Sequence, residues 1–242
     1  MDPSVKFTIA LAGNPNTGKS TLFNRMTGLK QHTGNWPGKT VIHAEGYFKH
    51  KDREYRMIDL PGTYSLFSNS ADEEVARNYI VFEKPDITLV VLDATSLERN
   101  LNLALQVLEM TDRVIICLNL MDEARKKGIE INAEKLGEKL GVPVIKISAR
   151  NNEGITELLE TIEKMVLGQI KVNPYSIRYS PEIEEKVKAL EPSIEELFGN
   201  EYPTRWIALR LLDGDKELMN ELKMRLKTIS PRGRNQGAAF SI

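Results

Sequence analysis

Residues Gly13-Asn-Pro-Asn-Thr-Gly-Lys-Ser20 fit the pattern G-x-x-x-x-G-K-[ST]. They stand between an apolar run, Val5 to Leu11, and a stretch from Lys19 to Thr27 in which Leu22, Phe23 and Met26 recur at helical spacing. No other feature constrains the fold as strongly. In a strand, a glycine turn and then a helix, backbone N–H groups can wrap a phosphate at the positive end of a helix dipole. The cradle would be Gly13, Asn14, Pro15, Asn16, Thr17, Gly18, Lys19 and Ser20, with Thr21 behind it. Lys19 then sets a cation against β- and γ-phosphates, and Ser20 offers a hydroxyl to Mg²⁺. A chance Gly-Lys-Ser turn would lack the flanking strand and helix.

The rest of the chain supplies a sheet for that unit. Residues 29–42 are rich in Gly, Asn, Thr and Pro and read as a long loop. Strands about His43–His50 and Tyr55–Leu60, joined by the polar tip Lys51-Asp52-Arg53, read as a hairpin. A helix follows near Ala71–Val81. Strand and helix then alternate: Ile87–Leu92 with Leu97–Met110, Val114–Leu118 with helical stretches through Leu140, and Val144–Ile147 with Ile155–Leu167. Such alternation predicts an α/β fold, a mostly parallel six-stranded sheet with helices on both faces. Composition shifts near Gly168. Ile170–Ser180 reads as a linker, and Pro181–Phe198, Thr204–Leu212 and Lys216–Ile229 are helical with no strand among them. Ser180-Pro181-Glu182 is a helix start, Ser as N-cap and Pro at the first helical position. The expected domains are 1–168, a nucleotide-binding domain, and 169–230, a small all-helical one. Residues 231–242 read as a disordered tail or a non-native end.

Composition excludes several classes. Lys+Arg 33 against Asp+Glu 34 gives a net charge of -1, without the basic excess of a chain that coats nucleic acid. A single cysteine, Cys117, allows no disulfide framework or cysteine metal site and suits a reducing, cytoplasmic setting. No stretch approaches the roughly 18 apolar residues of a membrane span, so the sequence as it stands is expected to be soluble.

Three more motifs add chemistry. Asp59-Leu-Pro-Gly62 ends a strand about forty residues after the cradle. There Asp59 can hold Mg²⁺ through water, and the Gly62 N–H can reach a γ-phosphate. Asn119-Leu-Met-Asp122 also ends a strand. A carboxylate at Asp122 accepts the N1–H and N2–H₂ pair of guanine, which adenine lacks, so Asn119, Met121 and Asp122 would select GTP and GDP over adenine nucleotides. Ser148, Ala149 and Arg150, after the last strand, would add backbone N–H contacts to the guanine oxygen. Each motif is short, but their order and spacing are specific together.

Those elements, in that order, resemble the TRAFAC-type P-loop NTPases, the Ras-like class that includes Era. Gly34-Asn-Trp-Pro-Gly-Lys-Thr40 narrows the resemblance. It is similar to the first switch of the ferrous iron transport protein B (FeoB) family, as are Pro61-Gly-Thr-Tyr-Ser65, Asp72-Glu-Glu74 with Ala76-Arg77, and Asp93-Ala-Thr with Glu98-Arg-Asn-Leu101. The likeness covers about residues 6–168, and the helical part matches that family's helical domain in position and character. The resemblance implies a slow, Mg²⁺-dependent GTPase with catalytic contributions from Lys19, Asn16, Thr40, Gly62, Glu73 and Glu74. It makes Thr40 the switch threonine that meets Mg²⁺ with Ser20 and Asp59, and Asn16 a ligand for K⁺ beside the phosphates. It implies a transmembrane transporter domain in the same full-length protein, at the cytoplasmic face of the inner membrane, and control of ferrous iron uptake. Homo-oligomer formation stays open, and no nucleic-acid partner is implied.

Two departures bear on rate and affinity. Thr63 follows Gly62 where Ras-like enzymes carry a water-positioning Gln. Glu73 and Glu74 are the candidates to replace it; a solvated helix start is their plainer reading. Leu120 stands where a Lys usually packs on the base. Trp36 either packs its loop down or meets another domain. Two other readings stay open: an Era-type RNA-associated assembly GTPase, disfavoured by the acidic stretch around Glu182, Glu184, Glu185, Glu191, Glu195 and Glu196, and a GTP-dependent binding module with incidental hydrolysis.

Overall fold

The computed structural model describes residues 7–28, 31–36, 39–67 and 70–229. The expected disordered end at 231–242 lies outside them, as do residues 5 and 6 of the first apolar run, residues 29, 30, 37 and 38 of the first loop, and residues 68 and 69 of the second. The chain divides into two compact units, one up to Ile177 and one from Arg178.

In the first unit β1 (Phe7–Gly13) runs through the glycine turn into α1 (Lys19–Thr27). Then come β2 (Gln31–Asn35), β3 (Ile42–His50), β4 (Arg53–Asp59), α2 (Ala71–Asn78), β5 (Ile87–Asp93), α3 (Leu97–Met110), β6 (Val114–Asn119), α4 (Met121–Lys126), α5 (Ala133–Leu140), β7 (Val144–Lys146) and α6 (Ile155–Val166). The strands make one seven-stranded sheet in the order β2-β3-β4-β1-β5-β6-β7. β1 lies parallel between β4 and β5, and β5, β6 and β7 continue in parallel. β5 and β6 are near-continuous apolar runs because both of their faces are covered.

Leu22 and Phe23 of α1 and Leu158 and Ile162 of α6 cluster with Ile9, Leu11, Leu89 and Cys117 on one face of the sheet. α3 packs on β1, β5 and β6. Each fully buried Leu or Ile in this core contributes roughly 1.5–3 kcal/mol by leaving water. Burial pushes the Cys117 thiol up to about 12, so it is a core side chain and not a nucleophile.

The structure departs from the sequence reading in two places. The first long loop contains a seventh strand, β2, paired antiparallel with β3 from Gln31↔Gly46 to Asn35↔Ile42. Because β3 is itself antiparallel to β4, β2 points the same way as the other five, and only β3 is reversed. The helix expected to Val81 loosens after Asn78 into a π-turn over Tyr79–Glu83. The helical stretches expected through Leu140 are two helices, the first ending before Gly128 at φ +68° and the second starting at Asn132, whose side chain accepts the Lys135 N–H at 2.9 Å.

Part of the expected linker is held in place. The Asn173 N–H donates to the Gly141 carbonyl and the Tyr175 N–H to the Leu140 carbonyl, each at 2.9 Å. Gly141 sits at φ +69°, and a side chain there would overlap the Asn173 carbonyl, so only glycine fits.

The second unit is α7 (Pro181–Phe198), α8 (Thr204–Leu212) and α9 (Lys216–Ile229). Val187, Ile194, Phe198, Tyr202, Trp206, Ile207, Leu218 and Leu222 are buried in it. Pro181 opens α7 as expected, but Ser180 makes no side-chain cap bond. Glu184 reaches back instead, accepting the Tyr179 N–H at 2.9 Å and two Arg205 hydrogen bonds at 2.8 Å. Those bonds, Arg205's first, lower its carboxyl pKa to about 2.

Candidate functional site

The glycine turn at the end of β1 is tight on every side. A side chain at Gly13 would run into the Val91 carbonyl, and Gly18 holds φ +81°. Asn16, at the exposed crest, also lies in the left-handed region at φ +65°. Among non-glycine residues that conformation favours Asn, whose side chain can bond locally. Thr17 Oγ donates to the Asn14 carbonyl at 2.9 Å and ties the turn to itself. Asn14 is buried, and its Oδ1 meets no hydrogen-bond partner among the described residues. Beyond the turn, α1 starts without a side-chain cap and with no acid in its first turn, so its positive end is left uncompensated. Ser20 and Thr21 are exposed there.

Lys19 is buried and reaches across to β4. Its ammonium pairs with the Asp59 carboxylate and donates to the Leu60 carbonyl at 2.6 Å. Burial raises the Asp59 pKa more than the adjacent Lys19 charge lowers it. Gly62, two residues past Leu60, lies beside Pro15 of the turn.

On the other side of the turn, Asn119 is fully enclosed, with 1% of its surface exposed. Its Nδ2 donates to the Thr17 carbonyl at 2.9 Å, and its Oδ1 accepts the Ala149 N–H at 3.0 Å. One carboxamide therefore joins the loops after β1, β6 and β7. Leu120 follows at φ +62°, an unusual conformation for a leucine, which turns the chain into α4. Met121 is buried, its N–H donating to the Ile147 carbonyl at 3.3 Å. Both Asp122 oxygens are engaged, Oδ1 by Ser148 Oγ at 2.9 Å and Oδ2 by Asn151 Nδ2 at 3.1 Å. Burial acts to raise the Asp122 pKa. The Ser148 bond, backbone N–H groups of Asp122 and Glu123, and the Lys126 charge outweigh it and hold the carboxyl below its usual value.

The segments likened to switches are tied to each other. Lys39 Nζ meets Glu74 Oε2 at 2.7 Å, so the residue before Thr40 is bridged to α2. Thr40 itself is exposed. Glu73 accepts from Ser65 Oγ at 2.8 Å, and Ser70 caps α2 by accepting the Glu73 N–H. Thr63 is buried, and the Leu66 N–H donates to Gln106 Oε1 at 2.7 Å. Trp36 lies between His43 and Tyr79, ring centroids 5.2 Å from each, tilted against the first and edge-on to the second, so it packs its loop against β3 and the π-turn.

The glycine turn, Asp59 with Gly62, Asn119 to Asp122 and Ser148 to Arg150 thus lie at the carboxyl ends of β1, β4, β6 and β7, the edge where open α/β sheets bind ligands, while Thr40 precedes β3 and Glu73 and Glu74 lie in α2. Two details differ from the expected base contacts. The Ser148 N–H donates to the Glu153 carbonyl and the Ala149 N–H to Asn119, so neither amide of that pair is held open. Sequence reading also missed Arg25 and Asn151. Arg25 sits in the last turn of α1 and reaches a loop more than a hundred residues away, which no local spacing signals.

The family model described as Ferrous iron transport protein B matches residues 7–162, and one described as FeoB cytosolic helical domain matches 179–236. The chain is 43% identical over 214 residues to an Fe(2+) transport protein A/Fe(2+) transporter FeoB fusion protein of Porphyromonas gingivalis, covering 87% of this chain and 25% of that one. It is 38% identical to the Fe(2+) transporter FeoB of Escherichia coli strain K12, covering 87% of this chain and 27% of that one. The chain therefore spans about a quarter of the length of these curated relatives. Among solved structures, the cytosolic domain of the T. maritima FeoB iron transporter in a GDP form superposes with a TM-score of 0.82 at 37% identity, over 96% of this chain and 89% of that one. Its GMPPNP form matches with the same TM-score of 0.82, over 95% of this chain and 89% of that one.

Proposed function

Since this chain belongs to the ferrous iron transport protein B family, we propose that it binds GTP and GDP, hydrolyses GTP slowly, and through that cycle controls ferrous iron passage by a transmembrane domain of the same full-length protein. The observation that carries the reading is the Asn119 carboxamide, which joins the Thr17 carbonyl of the glycine turn to the Ala149 N–H of the loop facing Asp122. Phosphate cradle and base reader are thereby one hydrogen-bonded assembly. Structures of relatives carry GDP and GMPPNP in their descriptions, which supports a guanine nucleotide as the ligand. No helix among the described residues is long and apolar enough to cross a membrane, so the transport step belongs to the remainder of the longer protein.

In this reading the turn from Gly13 to Ser20 wraps the α- and β-phosphates with its amides, and Lys19 exchanges Asp59 and the Leu60 carbonyl for β- and γ-oxygens. Ser20, Asp59 and Thr40 present hydroxyl and carboxylate oxygens, a hard donor set that fits Mg²⁺; Asn16, exposed at the crest of the turn, offers an amide oxygen suited to K⁺. When bound, these cations neutralise charge that develops on the transferred phosphoryl group. Asp122 accepts the guanine N1–H and N2–H₂ edge as a carboxylate, the form an aspartate holds at neutral pH.

Slow turnover follows from the second switch. Thr63 is buried and cannot aim a water molecule as a long amide does. Glu73 and Glu74 are the carboxylates available for that task, and they are engaged by Ser65 and Lys39. That engagement also favours a second reading, a GTP-dependent binding module in which hydrolysis is incidental.

Turnover of GTP by the purified chain, measured with Mg²⁺ in KCl and in NaCl, tests both. We expect slow hydrolysis, faster in KCl, with the difference removed by Asn16→Ala. Equal rates in the two salts would remove the K⁺ role. Absence of any turnover above the Lys19→Ala background would leave the binding-module reading. A titration showing no preference for GDP over ADP would refute the guanine assignment itself.

A further inference from the structure

One side chain holds two consecutive carbonyls of the loop after β7. Arg25 Nε donates to the Ala149 carbonyl at 3.4 Å, and Arg25 Nη2 donates to the Arg150 carbonyl at 3.2 Å. Arg25 lies in the last turn of α1, the helix that begins at Lys19. The planar guanidinium fork fixes the relative placement of its two acceptors, which the freely rotating donors of an ammonium do not.

No peptide bond among the described residues is cis. In a trans peptide the C=O and the following N–H point in opposite directions. Holding the Ala149 carbonyl toward α1 therefore aims the Arg150 N–H away from α1. The preceding amide, that of Ala149, is already given to Asn119 Oδ1, and the Ser148 amide to the Glu153 carbonyl. Of the three amides in the motif, Arg150's is the one whose direction Arg25 sets.

We infer that Arg25 is a positioning residue of the base site, which presents the Arg150 N–H to the six-position oxygen of guanine by pinning the carbonyls of Ala149 and Arg150. The inference rests on the guanine-nucleotide reading above. A peptide rotated the other way would turn the Ala149 carbonyl toward that oxygen, setting acceptor against acceptor. Arg25 thus works on specificity, since only a base with an acceptor at position six gains from the orientation it enforces. It acts through the backbone of the loop and not by contact with the nucleotide. Both of its bonds are long and the residue is exposed, so its loss loosens the peptide without unfolding the loop.

The probe is 6-thio-GDP, which keeps the guanine N1–H and amino group that face Asp122 but replaces the oxygen with a poor acceptor. Wild type, Arg25→Ala and Arg25→Lys are titrated with GDP and with 6-thio-GDP. One neutral hydrogen bond predicts a preference for GDP of about three- to tenfold in wild type. In Arg25→Ala that preference should shrink to about twofold or less, with GDP affinity falling and 6-thio-GDP affinity nearly unchanged. Arg25→Lys should fall between, since the ammonium keeps donors but loses the rigid fork. If Arg25→Ala weakens both nucleotides by the same factor, the residue is merely structural and the inference fails. It fails equally if the ratio stays at its wild-type value. Wild type that binds neither nucleotide would bring down the functional reading, a result distinguishable from the other two. Arg25→Gln, shorter and uncharged but with one amide donor group near the Nε position, repeats the comparison should the alanine variant not fold.

Discussion

Replacing Asn119 with alanine should do more damage than its single side chain suggests. The carboxamide makes two hydrogen bonds, 2.9 Å to the Thr17 carbonyl and 3.0 Å from the Ala149 N–H. Thr17 and Ala149 are each 1% exposed, so the groups left behind have no access to water. Two net hydrogen bonds are worth about 2 kcal/mol, and stranding a buried donor and a buried acceptor brings the loss to about 2–4 kcal/mol. Amide hydrogen exchange in β1 and β6 reads this directly, without assuming that the two units unfold together. Where exchange proceeds by global opening of the first unit, those amides should exchange about 30- to 900-fold faster in Asn119→Ala. Acceleration of about twofold or less would show that the bonds are not the buried links described here. Asn119→Asp is the sharper variant. It keeps an acceptor for Ala149 but sets a second carboxylate oxygen against the Thr17 carbonyl. Its defect should therefore ease as pH falls and the carboxyl gains a proton to donate.

Asp122→Asn should weaken GDP binding by two orders of magnitude or more and shift preference toward xanthosine diphosphate, whose edge has an acceptor where guanine has a donor; equal GDP affinity in a titration would remove Asp122 from the base site. Hydrogen exchange in residues 39–42 and 62–67 should slow with a non-hydrolysable GTP analogue relative to GDP while Val114–Leu118 hardly changes, and Thr40→Ala should erase most of the first protection; identical protection in both states would deny these segments a switching role. The second unit should lose stability on acidification between about pH 4.5 and about 2, because the Glu184 pKa is lowered by Arg205 and the Tyr179 N–H, and its contribution is full above the unfolded value and lost as pH falls through the folded one. Circular dichroism of Glu184→Gln should show a shallower acid limb than wild type in that window.

Most of the site was readable because its parts are local. The glycine turn, Asp59-Leu-Pro-Gly62, Asn119-Leu-Met-Asp122 and Ser148-Ala-Arg150 each depend on a few adjacent residues at a strand end, and the apolar runs of β5 and β6 declare buried strands. The helices α7, α8 and α9 lie where apolar periodicity put them. What escaped is non-local. β2 has no alternation and no apolar face; Gln-His-Thr-Gly-Asn becomes a strand because β3 offers it a free edge. Trp36 was ambiguous because its two ring partners, His43 and Tyr79, come from separate segments. The Ser148, Ala149 and Arg150 amides looked equivalent in sequence, and only packing shows that Asn119 and Glu153 engage two of them.

The chain's two tryptophans fall one to each unit. Trp36 stands in the aromatic cluster with His43 and Tyr79, in the segment likened to a first switch, and Trp206 is sealed in α8 at 2% exposure. The molecule is in effect labelled twice by its own composition. Emission from the indole beside Tyr79 should follow rearrangement of the segment that carries it, while the enclosed indole of α8 gives a steady internal reference. Rearrangement in the first unit can then be watched as a change in the summed native emission, and replacing Trp206 with phenylalanine would leave the Trp36 signal alone.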